Sequence, residues 1–186
     1  MTDLAGKKIL ILATHGFEQS ELDVPQAALR RAGAAVDVVA PEPGEIKGWQ
    51  DKNWGRPVAV DRTLGEARAE DYDAIVLPGG QMNPDTLRGN EAALSLIRRF
   101  FEQGKVVAAV CHGPWLLIDT GIAKGRKLTS YKTIRQDLVN AGASWEDKEV
   151  VTDEGVVTSR KPDDLPAFVA KIIEEVKEGR HDRRAA

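Results

Sequence analysis

An α/β fold with a mainly parallel sheet is predicted by three observations. Strand-length apolar runs alternate with longer segments of helical period, several of those runs are apolar throughout as buried parallel strands are, and the runs close on Gly- or Pro-containing turns. Lys8 to Ala13 reads as the first strand, being short and rich in Ile and Leu. Glu21 to Ala32 follows as a helix, with Leu22, Val24, Ala27, Ala28 and Ala32 at helical spacing and Gly33 in the position that ends helices. Ala35 to Ala40 is the second strand. Pro41 to Leu64 is rich in Gly, Pro and Trp and is expected to hold a short hairpin around Pro57 to Val60.

The alternation then repeats. Ala74 to Leu77 is an apolar strand closed by Pro78-Gly79-Gly80, and Asn90 to Gln103 is a helix whose N-cap is Asn90. Lys105 to Val110 is a further buried strand and Pro114 to Thr120 the helix after it, with Gly121 and Gly125 at its end. Thr133 to Ala141 reads as a short helix. Glu149 to Thr152 and Val156 to Ser159 flank Asp153-Glu154-Gly155 as a hairpin, and Asp164 to Glu178 is a closing amphipathic helix. No linker or repeat divides the 186 residues, so one domain is expected over 1–179, with a frayed tail at 180–186.

Charge and cysteine usage narrow the function. The 26 Lys and Arg against 29 Asp and Glu leave a net charge of −3, which offers no general attraction to nucleic acid. No apolar run reaches the ~18 to 20 residues that a membrane span needs, and the first residues lack a basic region feeding an apolar one, so a cytoplasmic protein is expected. One cysteine and three histidines (His15, His112, His181) make neither a disulfide framework nor a metal site of usual spacing. Dinucleotide, phosphate-loop and His-Glu-x-x-His motifs are missing, and neither cofactor nor metal is expected.

The chemistry concentrates at Cys111. Val106 to Val110 runs straight into Cys111-His112-Gly113-Pro114, which places the thiol where a central strand turns sharply into a helix, a nucleophile elbow. Gly113 permits the tight turn, Pro114 suits a first helical turn, and a helix N-terminus lowers a thiol pKa and offers N–H donors to an oxyanion. Read alone, Cys111 is equally an inert small hydrophobe ending a buried strand. Glu18 follows the first strand at the same edge of the sheet, within reach of the thiol as a proton carrier, or else it is a solvated acid near a helix start. Glu21 is expected to be structural.

Ala13 to Leu22 (ATHGFEQSEL), Leu77-Pro78-Gly79-Gly80, Ala109 to Pro114 (AVCHGP) and Thr129-Ser130-Tyr131 together resemble the PfpI family of intracellular cysteine peptidases, which also includes a parkinsonism-associated deglycase and glutathione-independent glyoxalases. The resemblance implies a flavodoxin-like α/β/α sandwich similar to class I glutamine amidotransferase domains. It implies catalytic roles for Cys111, His112 and Glu18, with Asp85 of a neighbouring subunit orienting His112, and therefore a homodimer or higher homo-oligomer. Asp85 in Asn83-Pro84-Asp85 is otherwise an ordinary turn residue. Gly79, Gly80 and the His112 N–H become candidate oxyanion donors, the glycines being alternatively a plain loop, and His15 a candidate substrate contact. Three functions fit such a site. They are cofactor-independent turnover of reactive dicarbonyls or their adducts in stress protection, peptide cleavage, and thiol-based redox sensing or chaperoning without turnover. The partner is accordingly a small aldehyde or a peptide.

Overall fold

The computed structural model describes residues 3–183. The first half of the chain forms β1 (Lys8–Leu12), β2 (Phe17–Glu18), α1 (Gln19–Arg31), β3 (Ala35–Ala40), β4 (Glu45–Gln50), β5 (Asn53–Ala59), β6 (Arg62–Thr63) and β7 (Ala74–Leu77). Next come α2 (Met82–Arg88), α3 (Glu91–Glu102), β8 (Val106–Val110), α4 (Trp115–Asp119), β9 (Lys127–Leu128) and α5 (Arg135–Asn140). β10 (Ser144–Trp145), β11 (Val151–Asp153), β12 (Val156–Ser159) and α6 (Leu165–Glu178) complete it.

Seven strands make the main sheet in the order β11-β12-β8-β7-β1-β3-β6, parallel throughout except for β11, which runs antiparallel to β12. The alternating sides of these strands supply two cores. Leu10, Leu12, Ile75, Leu77, Val107 and Ala109 face α3 and α4 through Ile97, Phe100, Leu116 and Leu117. Ile9, Ile11, Val76, Ala108 and Val110 face α1 and α6 through Leu22, Leu29, Phe168 and Ile172. These residues are essentially excluded from solvent, and each large aliphatic or aromatic one contributes about 1.5–3 kcal/mol of burial free energy. The result is the α/β fold with a mainly parallel sheet that the alternation of runs predicted, layered as the α/β/α sandwich that the resemblance implied. Among the described residues no helix is long and apolar enough to cross a membrane.

Local chemistry sets most element ends. Asn90 caps α3, its side chain accepting the Ala93 N–H at 3.2 Å. The Trp-rich region is a longer hairpin than predicted: β4 and β5 pair antiparallel around a two-residue turn in which Asp51 and Lys52 both have positive φ, and β2 adds to β4. The α2 helix was not anticipated; Gln81 to Asp85 read as a loop. Pro84 is tolerated because it lies in the first helical turn, where N–H groups have no intrahelical acceptor to lose.

Of the tail expected to be frayed, 180–186, residues 184–186 lie outside the described residues and 180–183 depart from that reading. Residues 180–183 are docked rather than frayed: the His181 N–H donates to Gly104 O at 2.8 Å, and the Arg183 guanidinium bonds Phe101 O, Lys105 O and Glu154 O while lying 4.3 Å from the Phe101 ring centroid. Here Glu175, Glu178 and His181 bring ligand-type atoms within 4.8 Å of one another, with His181 Nε2 3.5 Å from a Glu175 carboxyl oxygen.

Candidate active site

The parallel strands β1, β7 and β8 end side by side, and the loops that leave them meet at the carboxyl edge of the sheet, where open α/β folds place ligands. Cys111 is the first residue beyond β8. Its φ of 63° is left-handed, an unusual conformation for a side chain with a Cβ, and it is held by three neighbours. The Cys111 N–H donates to Ser159 O at 3.0 Å, its carbonyl accepts the Tyr131 N–H at 2.8 Å, and the Gly113 N–H donates to Val110 O at 2.8 Å. Only a glycine fits at 113: a Cβ there would lie 2.5 Å from Leu77 O. This is the strained strand-to-helix elbow expected from the sequence.

The acid at the thiol is Glu21, not Glu18. Glu21 lies in the first turn of α1 and is completely buried. Its Oε2 accepts the Gly79 N–H at 2.7 Å, its Oε1 has no hydrogen-bond partner, and its carboxyl rests against the Cys111 thiol. Burial, partly offset by the Gly79 N–H, raises the Glu21 pKa to about 8. Glu18 precedes the helix, is half-buried and lines the same cavity further out; burial and the nearby Asp51 charge raise its pKa.

Burial also pushes the Cys111 thiol up, and an ionised Glu21 pushes it further, against the pull of the Gly80 and His112 N–H groups. The helix terminus alone therefore does not make the thiolate, as the sequence suggested it would. The two acids titrate as a pair: with Glu21 protonated the repulsion on sulfur vanishes, and the negative charge can reside on a thiolate that faces two backbone donors.

His112 is buried, with Nδ1 3.2 Å from Cys111 Sγ. Its ring stacks on Tyr131 (centroids 5.0 Å apart, planes at 25°) and meets Trp115 edge-on at 5.2 Å. Burial lowers its pKa, which favours a neutral imidazole. Among the described residues no acid bonds to it. Asp85 is exposed on α2, so within one chain it does not orient His112.

Two other expectations change place. The Gly79 N–H is committed to Glu21, which leaves Gly80 and His112 as the backbone donors at the thiol. His15 is exposed, its Nδ1 accepting the Lys47 N–H at 3.1 Å, and it fastens the loop after β1 to the hairpin rather than lining the cavity. The cavity, about 520 Å³, is bounded by Glu18, Glu21, Cys111 and His112 together with Trp49, Met82, Tyr131 and Pro162 and the loops at Gly16, Gly80 and Gln81. Asn83 was missed altogether: it is fully buried, accepts the Thr14 N–H at 2.8 Å, and donates to Pro78 O at 2.9 Å and Gly79 O at 3.1 Å, so one side chain ties the loops after β1 and β7 together.

A model of the DJ-1/PfpI family matches residues 7–175. The chain belongs to that family. It is 44% identical over 170 residues to Deglycase PfpI of Pyrococcus furiosus, covering 91% of this chain and 99% of that protein. It is 43% identical over 172 residues to Putative cysteine protease YraA of Bacillus subtilis, covering 92% and 99%. The structure of DJ-1beta from Drosophila melanogaster superposes with a TM-score of 0.83 at 31% identity, covering 92% of this chain and 94% of that one. The family and the α/β fold with its mainly parallel sheet are thus those implied by the motifs around Cys111.

Proposed function

We propose that this DJ-1/PfpI family member is a cysteine enzyme of dicarbonyl stress, converting small reactive dicarbonyls, or their early adducts with proteins, in the cytoplasm. The observation that carries this reading is the buried Glu21 carboxyl set against the thiol of Cys111 at the cavity. A nucleophile and a proton carrier are what an internal carbonyl rearrangement requires, and the amine-leaving-group assistance of a peptidase is not. The deglycase name of the Pyrococcus furiosus relative supports the same reading.

For methylglyoxal the steps balance without a redox partner. The Cys111 thiolate adds to the aldehyde carbon, and Glu21 gives its proton to the new alkoxide, forming a hemithioacetal. The Glu21 carboxylate then takes the hydrogen from that carbon and returns it to the adjacent one, while the hydroxyl proton passes to the ketone oxygen with His112 as relay. The product is a lactoyl thioester whose carbonyl oxygen faces the Gly80 and His112 N–H groups. Water cleaves it to lactate and restores the thiol.

A second reading, peptide cleavage, is favoured by the 3.2 Å contact between Cys111 and His112 and by the name of the Bacillus subtilis relative. It needs an acid on His112 from elsewhere. Asp85 of a second copy is the candidate, which makes a homo-oligomer part of that reading.

The test is lactate formation from methylglyoxal by pure protein without glutathione. Wild type should produce lactate, Cys111→Ser none, and Glu21→Gln less by a factor of about 100 or more. Lactate production by Cys111→Ser would end the dicarbonyl reading. Peptide cleavage that is lost in Asp85→Asn, by a wild type that makes no lactate, would establish the second one.

A further inference from the structure

The outer half of the cavity carries features that the chemistry above does not use. Glu18 and Trp49 are register partners in the β2–β4 pair and both line the cavity. Asp51, at the turn of the β4–β5 hairpin, is close enough to raise the Glu18 pKa. Among the described residues neither acid has a basic side chain as an ion-pair partner, and no Lys or Arg lines the cavity. The mouth is thus a carboxylate that the Asp51 charge repels, next to an indole, with the Tyr131 ring also lining the cavity. Carboxylates beside aromatic faces bind ammonium and guanidinium groups by direct charge attraction and by the ring quadrupole, and a cation between Glu18 and Asp51 relieves their mutual repulsion. An anionic group in the same place meets two like charges and no donor of opposite sign.

We infer that the entrance selects substrates by charge, Glu18 and Trp49 favouring carbonyl compounds whose non-reacting end is cationic over neutral ones and disfavouring anionic ones. The inference rests on the functional reading only in that Cys111 is the reacting group. In this arrangement Glu18 is a specificity-determining residue, whereas Glu21 handles protons. That division explains why two acids one helical turn apart have such different burial.

The single cysteine allows a test that does not depend on turnover. Cys111 is modified with three methanethiosulfonate reagents of similar size, bearing a trimethylammonium, an uncharged alkyl or a sulfonate group, and each rate is divided by that of the same reagent with a small free thiol. The expected order is cationic, then neutral, then anionic, with about tenfold between the first two. Glu18→Gln should bring the cationic-to-neutral ratio close to one, Glu18→Lys should favour the sulfonate, and Asp51→Asn, at an exposed turn, should lower the ratio by a smaller factor. The same ratios are then read as kcat/KM on 4-(trimethylammoniomethyl)phenylglyoxal, its neutral neopentyl isostere and the carboxymethyl analogue, the difference lying in KM. A wild-type ratio near one, or a ratio unmoved in both Glu18 variants, overturns the inference. Charge selection in the thiol reaction with no arylglyoxal turnover leaves it standing and counts against the dicarbonyl enzyme, while turnover without charge selection does the reverse.

Discussion

Glu21 is a carboxylic acid buried as deeply as the leucines around it, and its protonation has a thermodynamic consequence. Its pKa is about 8 in the folded chain and 4.5 as an unperturbed group, so between those values the folded state holds a proton that the unfolded state has released. Its contribution to stability is fully present below pH 4.5 and is lost as pH rises towards 8, with a slope of at most about 1.4 kcal/mol per pH unit. Glutamine cannot ionise. The wild-type melting temperature should therefore fall relative to that of Glu21→Gln between pH 5 and pH 8.5, and parallel curves from paired thermal melts would show that Glu21 does not hold its proton in the fold. Gly113 supplies a second residue-scale prediction. The Cβ of Gly113→Ala would meet the backbone oxygens of Leu77 and Val110, neither of which can move without shifting a core strand, so the variant should lose about 2 kcal/mol or more in denaturant titrations together with most thiol reactivity.

The arrangement of elements depends on one short helix. Helix α2 carries Asn83 inward, where its three hydrogen bonds hold the loop after β1 against the loop after β7. These two loops bear Gly16 and Gly80, both cavity-lining, and the second bears a donor to the thiol. Asn83→Ala leaves one buried N–H and two buried carbonyls without their partner and should cost about 3 kcal/mol. It should also slow methanethiosulfonate modification of Cys111, because Gly80 is no longer fixed; unchanged reactivity in a destabilised variant would mean that α2 supports the fold and not the site. The hairpin is held in a comparable way. The Gln19 side-chain oxygen is buried over the Cα positions of Gly48 and Gly55, where any Cβ would come within 2.4 Å of it, and this packing seats the strand that presents Trp49 to the cavity.

Across the whole molecule, the last described residues close the end of the sheet opposite the cavity. Arg183 bridges three backbone carbonyls, and its guanidinium shares the Phe101 ring with that of Arg126. A chain ending at Gly179 loses these bonds and should be less stable by about 1–3 kcal/mol, with dicarbonyl turnover per folded molecule intact. A calorimetric scan matched to wild type would refute the docking. The sequence reading made 180–186 a frayed tail, since nothing local distinguishes an arginine in water from one that finds backbone carbonyls elsewhere in the chain.

What the sequence determined by itself is the layered α/β architecture, the alternation of elements, and the elbow that carries Cys111; the 3.2 Å approach of His112 to the thiol was decided by the tertiary structure. These are local matters: the apolar period decides strand or helix, and Cys-His-Gly-Pro after a buried strand dictates a sharp turn. The Glu21 position was legible in part, for its i+4 and i+8 neighbours Pro25 and Leu29 are both apolar, and they do lie with it on the inward face of α1. A charged side chain on that face reads as surface unless its partner is known. Only the tertiary structure decided that Glu21 rather than Glu18 meets the thiol, that Gly79 serves the acid while Gly80 faces the sulfur, and that Asp85 and His15 lie outside one chain's cavity. Each of these depends on which loops meet when three strands end side by side, and that distance is set by helix packing and by Asn83, not by spacing along the chain.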